Sequence, residues 1–121
     1  MTPEARIQRE IMLALSEAGC LVWRNNTGQA WQGKQVHKSH DQITLAGCRP
    51  VNFGLMVGSA DLIGVSPGGK FLAVEAKAPS GRVSDAQCRF LLAVNRAGGI
   101  GFVARSAEDA LKQLEERLHA D

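Results

Sequence analysis

The stretch from Gly58 to Lys77 constrains the fold more than any other part of the sequence. It contains two runs without a charged residue, Leu62 to Val65 and Phe71 to Val74, on either side of the segment Ser66-Pro67-Gly68-Gly69-Lys70. Apolar runs of strand length that flank a Pro-Gly-Gly segment predict a β-hairpin. Because both runs are apolar on both faces, we expect the hairpin to lie between layers of helices.

Charged side chains stand at one end of this hairpin. If the hairpin is symmetric about Gly68, Asp61 lies opposite Glu75, and Glu75 shares a face with Lys77 because side chains alternate along a strand. Two like charges in opposite positions destabilise a sheet unless something neutralises them, and a divalent cation with oxygen ligands would do so. A salt bridge between Lys77 and one acid is the simpler alternative, but it leaves the second acid unexplained. The pattern favours metal-assisted hydrolysis at Asp61, Glu75 and Lys77.

Composition limits the class of protein. The chain has 121 residues, of which 45% are hydrophobic, and this predicts one compact domain. A net charge of +2 permits a polyanionic partner without requiring one. Three widely spaced cysteines without a CxxC pair favour reduced thiols over a disulfide framework. No segment approaches the roughly 18 apolar residues of a membrane span, and the charged N-terminus is unlike a signal peptide, so a cytoplasmic protein without membrane association is expected.

A helix and a strand are predicted before the hairpin. Thr2 and Pro3 fit the N-cap and the first position of a helix that Gly19 ends. Cys20 to Arg24 follows as a short apolar strand. Spacing alone favours a surface role for Glu4, an acid at the positive end of the first helix.

A helix, a strand and a second helix are predicted after the hairpin. Ser84 and Gln87 form a capping box for a helix from Asp85 to about Arg96. The strand-helix-strand order then places Ile100 to Ala104 parallel to a strand of the central sheet. Ser106 caps the last helix, whose predicted buried stripe consists of Ala107, Leu111, Leu114 and Leu118.

The segment from Asn25 to Val57 is polar, rich in glycine and weakly patterned, and most of its charged residues are basic. Basic side chains interleaved with an aromatic ring can contact phosphates and stack on unpaired bases. The alternative is a solvated excursion, for which a hairpin is one form. Its histidines match no ordinary zinc-ligand spacing and are interpreted as surface residues. The predicted nucleic-acid contacts in this segment are Trp31, Lys34, His37, Lys38 and Arg49.

Several short motifs resemble, in order, those of one known family. They are Glu4 to Gln8, Trp23 to Asn25, Gly58 to Leu62, Glu75 to Lys77 and Gly81 to Gln87. Together they resemble the VRR-NUC group of PD-(D/E)XK nucleases, over nearly the whole chain and most weakly from Gly28 to Arg49. The resemblance implies an α/β fold with a restriction-endonuclease-like core. That core has α-β-β-β-α-β order, a C-terminal helix and a mixed central sheet flanked by helices. It would form a single domain over residues 1–121, with a polar basic insertion at about 25–57.

The resemblance also implies a metal site. Asp61, Glu75 and the backbone carbonyl of Ala76 would be ligands of Mg²⁺ or Mn²⁺, and Lys77 would be the catalytic lysine. Glu4 maps onto the acid that the family places on its first helix, which makes it a further metal ligand, against the surface role that spacing favours.

Other residues of the matching motifs also receive roles from the resemblance. Gln87 maps onto a catalytic glutamine on the helix after the ExK motif, while the capping box gives it a structural role, and both interpretations stay open. Arg24, Asn25 and Arg82 lie within the matching motifs and are added to the predicted nucleic-acid contacts.

Small stand-alone members of this group are typical of phages and bacteria, act as homodimers and resemble Holliday-junction resolvases in activity. The resemblance therefore implies a metal-dependent endodeoxyribonuclease selective for branched DNA such as a four-way junction, in the cytoplasm of a bacterium or a phage-infected host cell. One alternative is a nuclease for flaps, single strands or DNA without structural preference. The other is a DNA-binding module whose acids no longer catalyse hydrolysis.

Overall fold

The computed structural model describes residues 1–120 and divides the chain into two compact units. One unit consists of residues 1–25 together with the chain from Met56 onward, and the other is Asn26–Leu55. The helices are α1 (Pro3–Glu17), α2 (Asp85–Arg96) and α3 (Ala107–Leu118). The strands are β1 (Leu21–Arg24), β2 (Gly28–Lys38), β3 (Ile43–Phe53), β4 (Leu62–Val65), β5 (Phe71–Ala76) and β6 (Ile100–Ala104).

The first unit is built on a four-stranded sheet in the order β1-β4-β5-β6. Strands β4 and β5 form the predicted hairpin, and the pairing of Leu62 with Val74 gives the register that symmetry about Gly68 requires. Gly68 and Gly69 turn the chain with φ of +95° and +90°, a region that favours glycine. Strand β6 pairs with β5 in parallel, as the strand-helix-strand order predicts.

Helices cover both faces of this sheet. Helices α1 and α3 pack Leu15 and Leu114 into one core cluster together with Leu72 of β5. Helix α2 packs Leu91 against Ala73 on the opposite face. The expected sandwich of a mixed sheet between helices is therefore confirmed, and β5 is buried on both faces.

The predicted helix caps are confirmed. The hydroxyl oxygens of Thr2, Ser84 and Ser106 each accept a hydrogen bond from a backbone N–H in the first turn of α1, α2 and α3, respectively. In α2 the side chain of Gln87 also accepts from the backbone N–H of Ser84, which completes the capping box.

The predicted buried stripe of α3 is wrong in part. Ala110 and Leu114 are buried, whereas Leu111 and Leu118 remain 39% and 38% exposed. Gln113 lies on the side of Ala110, and its amide donates to the carbonyl of Val103 in β6 at 2.7 Å. A polar side chain thus takes part in the contact between α3 and the sheet, which a search for an apolar stripe does not detect.

The second unit is a two-stranded antiparallel sheet of β2 and β3. Its pairs run from Gly28 with Phe53 to Lys38 with Ile43, and nearly all of its side chains are exposed. The segment is thus a hairpin, a form that the sequence allows for a solvated excursion, and its role as a nucleic-acid surface stays a prediction. Register shifts after Gln32 and Gln35 interrupt the side-chain alternation and make the strands hard to recognise in the sequence.

No helix within residues 1–120 combines the length and the apolar character needed to cross a membrane.

Candidate active site

Asp61 and Glu75 lie side by side at one edge of the sheet. Asp61 comes directly before β4 and Glu75 lies near the end of β5, one step beyond the pair of Leu62 and Val74. The Oδ2 atom of Asp61 accepts a hydrogen bond from the backbone N–H of Ala76 at 3.2 Å. The symmetry of the hairpin thus brings both carboxylates to neighbouring strand ends, as predicted.

Glu75 is the least accessible charged group of the site, with 1% of its surface exposed. Its Oε1 atom accepts a hydrogen bond from Nε2 of Gln87 at 3.0 Å, and the Nζ atom of Lys77 lies 3.9 Å from the same oxygen. Its Oε2 atom is buried and has no hydrogen-bond partner among the described residues. An unpaired buried oxygen costs about 1–3 kcal/mol, and such a cost in a packed core suggests a site for a ligand.

The surroundings of Glu75 disfavour its charged form. Burial raises the pKa of Glu75 most, followed by Asp61, whose carboxylate hydrogen-bonds to the protonated form of Glu75 and repels the charged form. The pKa rises from 4.5 to about 8, and Lys77 offsets only part of this rise. Without a cation at the site, the buried carboxyl group therefore keeps its proton to a higher pH than an exposed glutamate does.

Gln87 combines the two roles that the sequence leaves open. Its Oε1 atom accepts from the backbone N–H of Ser84 at 2.9 Å, which completes the cap of α2. With Oε1 held there, Nε2 is directed at Glu75. The cap of α2 therefore orients a donor toward the buried carboxylate.

Lys77 follows directly after β5 on the same face as Glu75. Its backbone N–H donates to the carbonyl of Ala104 at the end of β6, at 3.0 Å, so the parallel pairing extends to the lysine. The side chain is 14% exposed, and its ammonium group is close enough to pair with the Glu75 carboxylate. A cation, two carboxylates and an amide thus meet at the ends of β4 and β5.

Residues 2–108 match the family model of the VRR-NUC domain, which covers most of the chain. The chain belongs to the VRR-NUC family. This family is part of the restriction-endonuclease-like nuclease superfamily, which identifies the chain as a nuclease, a hydrolase that acts on DNA. A comparison of the chain with curated protein sequences found no significant match.

Asn25 fixes the loop that carries Asp61 in this VRR-NUC domain. Its Nδ2 atom donates to Oγ of Ser59 at 2.8 Å and to the carbonyl of Ala60 at 2.9 Å. Its backbone N–H donates to the carbonyl of Asp61 at 2.8 Å. The sequence predicts a nucleic-acid contact for Asn25, whereas the structure directs its amide into the protein, where it positions one acid.

Arg105 is a positioning residue that the sequence motifs do not include. Its Nη1 atom donates to the carbonyls of Ala78 and Gly81 at 2.7 Å and 2.8 Å, which pins the loop between Lys77 and α2. Its position in the sequence gives one indication of this role. Arg105 directly follows the apolar strand β6, which is parallel to β5. The ends of parallel neighbours meet at the same edge of a sheet.

Glu4 lies in the first turn of α1 and is exposed. Within residues 1–120, the structure does not bring it together with Asp61 and Glu75 into a group of three acidic, histidine or cysteine side chains able to hold a metal ion. The role of Glu4 as a metal ligand stays a prediction, and its exposed side chain agrees with the surface role that spacing favours.

The residues predicted to contact nucleic acid fall on both units of the VRR-NUC domain. Arg24 at the end of β1 and Arg82 before α2 lie on the first unit, and both are exposed. On the second unit, the Arg49 guanidinium group donates to Oε1 of Gln32 at 2.7 Å and 3.0 Å. The other four are exposed residues of β2, namely Trp31, Lys34, His37 and Lys38.

The oxygen donors of the site fit a hard divalent cation. The carboxylates of Asp61 and Glu75 adjoin, the Oε2 atom of Glu75 lacks a partner among the described residues, and Ala76 supplies a backbone carbonyl at the same strand end. Mg²⁺ and Mn²⁺ prefer carboxylate and carbonyl oxygens. A cation bound here would pair the orphaned oxygen and offset the repulsion between the two acids.

The raised pKa of Glu75 predicts a pH-dependent stability of the metal-free protein. Below about pH 4.5 the group is protonated in both the folded and the unfolded states, so it costs nothing. As the pH rises toward 8, only the unfolded state loses the proton, and the folded state becomes less stable relative to it by on the order of 4 kcal/mol. Glu75→Gln is therefore expected to gain stability over the wild type progressively between pH 5 and pH 8.5, measured by urea unfolding in EDTA.

Glu10→Gln on the exposed side of α1, away from the helix termini, is the matched control for this substitution. It is expected to follow the wild type at every pH. A constant difference between Glu75→Gln and the wild type from pH 5 to pH 8.5 would contradict the assigned pKa.

The two roles of Gln87 are separable by substitution. Gln87→Glu keeps the acceptor for the Ser84 N–H but replaces the donor to Glu75 with an oxygen, so DNA cleavage is expected to fall about 10- to 100-fold. Ser84→Ala removes the cap hydroxyl and leaves the donor to Glu75, so it is expected to cost about 1 kcal/mol of stability and little cleavage. Cleavage rates and thermal unfolding of both variants check this, and equal loss of cleavage in both would show that Gln87 is only a cap.

Proposed function

We propose that this VRR-NUC domain is a metal-dependent DNA endonuclease that selects branched DNA. The observation that carries the proposal is the buried Glu75 carboxylate, which adjoins Asp61, lies 3.9 Å from the Lys77 ammonium group and retains one oxygen without a partner among the described residues. An acid so placed destabilises the fold unless a cation binds. The free-energy cost of burying this acid is therefore better explained by a role in function than by a role in folding.

Each residue of the site has a definite task in this proposal. Asp61 and Glu75, with the carbonyl of Ala76, would hold Mg²⁺ or Mn²⁺. Such an ion, when bound, would make water more acidic and offset charge on the phosphodiester. The Lys77 ammonium group orients the attacking water and stabilises the negative charge that develops on the phosphate. Gln87 keeps the Glu75 carboxylate in place by donating to Oε1.

The β2–β3 hairpin is proposed to supply additional phosphate contacts. Lys34, Lys38 and the ring of Trp31 are exposed on β2, and Trp31 retains 64% of its surface accessible to solvent. A two-stranded sheet alone is marginally stable in water, so binding to a polyanion would stabilise this one. Cationic and aromatic side chains on an extended ribbon fit the backbone and the unpaired bases of DNA.

We further propose that the domain acts as a homodimer. A symmetric dimer presents two identical sites, which suits cleavage of two strands at a four-way junction. The support for this step is the resemblance of the chain to small stand-alone members of the family. The mass of the protein in solution tests it directly.

Substitution of the site residues tests the proposed chemistry. Lys77→Ala and Asp61→Asn are each expected to reduce cleavage by at least about 100-fold in Mg²⁺ or Mn²⁺. Lys112→Ala on the exposed face of α3 is the control and is expected to leave the rate unchanged. The measurement is single-turnover cleavage of a four-way junction, a flap, a single strand and a linear duplex.

The same panel separates the competing functions. Comparable rates on all four substrates would favour a nuclease without structural preference over a junction-selective one. Tight junction binding without products in any divalent ion would identify a DNA-binding module whose acids do not catalyse hydrolysis. Equal cleavage by the wild type and Lys77→Ala would reject the proposed site.

The hairpin contribution predicts a change in salt dependence. The double substitution Lys34→Ala and Lys38→Ala is expected to weaken DNA binding and to lower the slope of log affinity against log salt by ~1.8, that is ~0.9 for each phosphate that a lysine no longer neutralises. The double substitution Arg9→Ala and Lys112→Ala removes the same charge from exposed helix positions and is expected to change the slope less. If both double variants show the wild-type slope, the hairpin is not part of the interface.

A further inference from the structure

A groove with an apolar floor runs along α2, apart from the carboxylates of the active site. Its volume is about 710 Å³, and Phe71, Phe90 and Val94 contribute apolar surface to it. The groove is lined by α2 from Ala86 to Ala97, a helical length of ~16 Å. This length is sufficient for several units of an extended polymer.

Several apolar side chains that line the groove are largely exposed to solvent. Val57 is 92% exposed, Met56 is 70% exposed and Phe71 is 43% exposed. Phe90 and Val94 pack against the cluster of Ala73 and Leu91 with part of their surface and present the rest to the groove. A contiguous exposed apolar patch of this kind marks a binding site rather than ordinary surface.

The charge of the groove is of one sign. Among the described residues that line it, only Lys70 and Arg89 are charged, and both are basic. A second depression of about 560 Å³ shares Arg89 and adds Arg96. The occupant that fits combines flat apolar groups with negative charges.

The groove begins beside the active site. Gly58 has a φ of +86°, and a Cβ atom there would lie 2.7 Å from the carbonyl oxygen of Ala86, so the loop that leads to Asp61 rests on the first turn of α2. The next residue of that turn, Gln87, donates to Glu75. A strand whose phosphate reaches the carboxylates therefore has the Ala86 end of the groove next to it.

We propose that this groove binds unpaired nucleotides of the DNA strand that extends from the active site. The bases would lie against Phe71 and Phe90, and the phosphates near Lys70 and Arg89. The inference rests on the proposed nuclease function and sharpens it, because unpaired nucleotides occur at branch points and flaps but not within a linear duplex. A second copy of the chain fits the groove less well. If two α2 helices packed against each other, the Arg89 and Arg96 side chains of both copies would come together, and each helix has only one acid, Asp85, to offset their charge.

Binding without cleavage tests the proposal. In EDTA, fluorescence anisotropy compares a forked duplex that has a single-stranded tail with a blunt duplex of the same paired length. The wild type is expected to favour the fork, and Phe71→Ala is expected to weaken fork binding about tenfold, since removal of one stacking ring has an effect of that order. Leu13→Ala, an exposed apolar truncation on α1, is the control and is expected to keep the fork preference.

A charge reversal tests the basic rim of the groove. Arg89→Glu is expected to weaken fork binding more than Lys112→Glu, the matched reversal on the exposed face of α3. Thermal unfolding of each variant verifies that it is folded. Photo-crosslinking of the wild type to a tail that contains 5-iododeoxyuridine avoids substitutions altogether, and the crosslinked peptide is expected to contain Phe71 or Phe90.

Several results would overturn this inference. One is equal wild-type affinity for the fork and the blunt duplex, and another is crosslinks confined to residues 26–55. A third is conversion of a dimer to a monomer by Phe71→Ala in sedimentation, which would assign the groove to a second copy. A protein that binds the tail through the groove but cleaves no DNA in any divalent ion would reject the nuclease proposal and leave the groove assignment intact. A protein that cleaves junctions but binds the forked and the blunt duplex equally would support the nuclease proposal and reject the groove assignment.

Discussion

The burial of the Glu75 carboxylate is the constraint on which the rest of the site depends. β5 is covered on both faces, so a charged group at Glu75 can be neutralised only by what the neighbouring strand ends provide. They provide one hydrogen bond from Gln87 and a lysine at 3.9 Å, and among the described residues Oε2 has no partner. Full burial of Leu72 and Val74 in the same strand, each contributing about 1.5–3 kcal/mol, offsets this cost and keeps the strand in place.

The sheet topology explains why polar residues from distant parts of the chain meet at this edge. Because β1 and β5 are both antiparallel to β4, and β6 is parallel to β5, the ends of β1, β5 and β6 lie at the same edge as the start of β4. Asn25, Lys77 and Arg105 each follow one of those strands, and Asp61 precedes the fourth. Asn25 and Arg105 fix the loops on either side of this edge, so the acids are held by the protein before any ligand binds.

Much of this architecture could be predicted from local patterns. The symmetric hairpin, the capping box at Ser84 and the parallel strand Ile100–Ala104 follow from turn residues and apolar runs, which are properties of short segments. The β2–β3 hairpin was only an alternative in the sequence, because both of its faces are exposed and its register shifts remove the period-two pattern. The contacts of Asn25 and Arg105 could not be predicted, since each joins residues more than 20 positions apart in the chain. Whether Glu4 approaches the site depends likewise on how a helix packs, which spacing does not encode.

Helix α2 contributes both to the candidate active site and to the groove that is proposed to bind DNA. Its first turn is fixed by the cap at Ser84 and by the contact of Gln87 with Glu75, and its buried residue is Leu91. The remainder of the helix surface is under weaker constraints, and there the sequence places Arg89 and Arg96 beside exposed apolar groups. Arg89 and Arg96 are exposed, so substitutions at these two positions are expected to leave the packing of Leu91 and the contact of Gln87 in place. Under the proposed assignments, the residues of the reaction lie at the sheet edge and those that select the DNA lie on α2, so selectivity can change without loss of that edge.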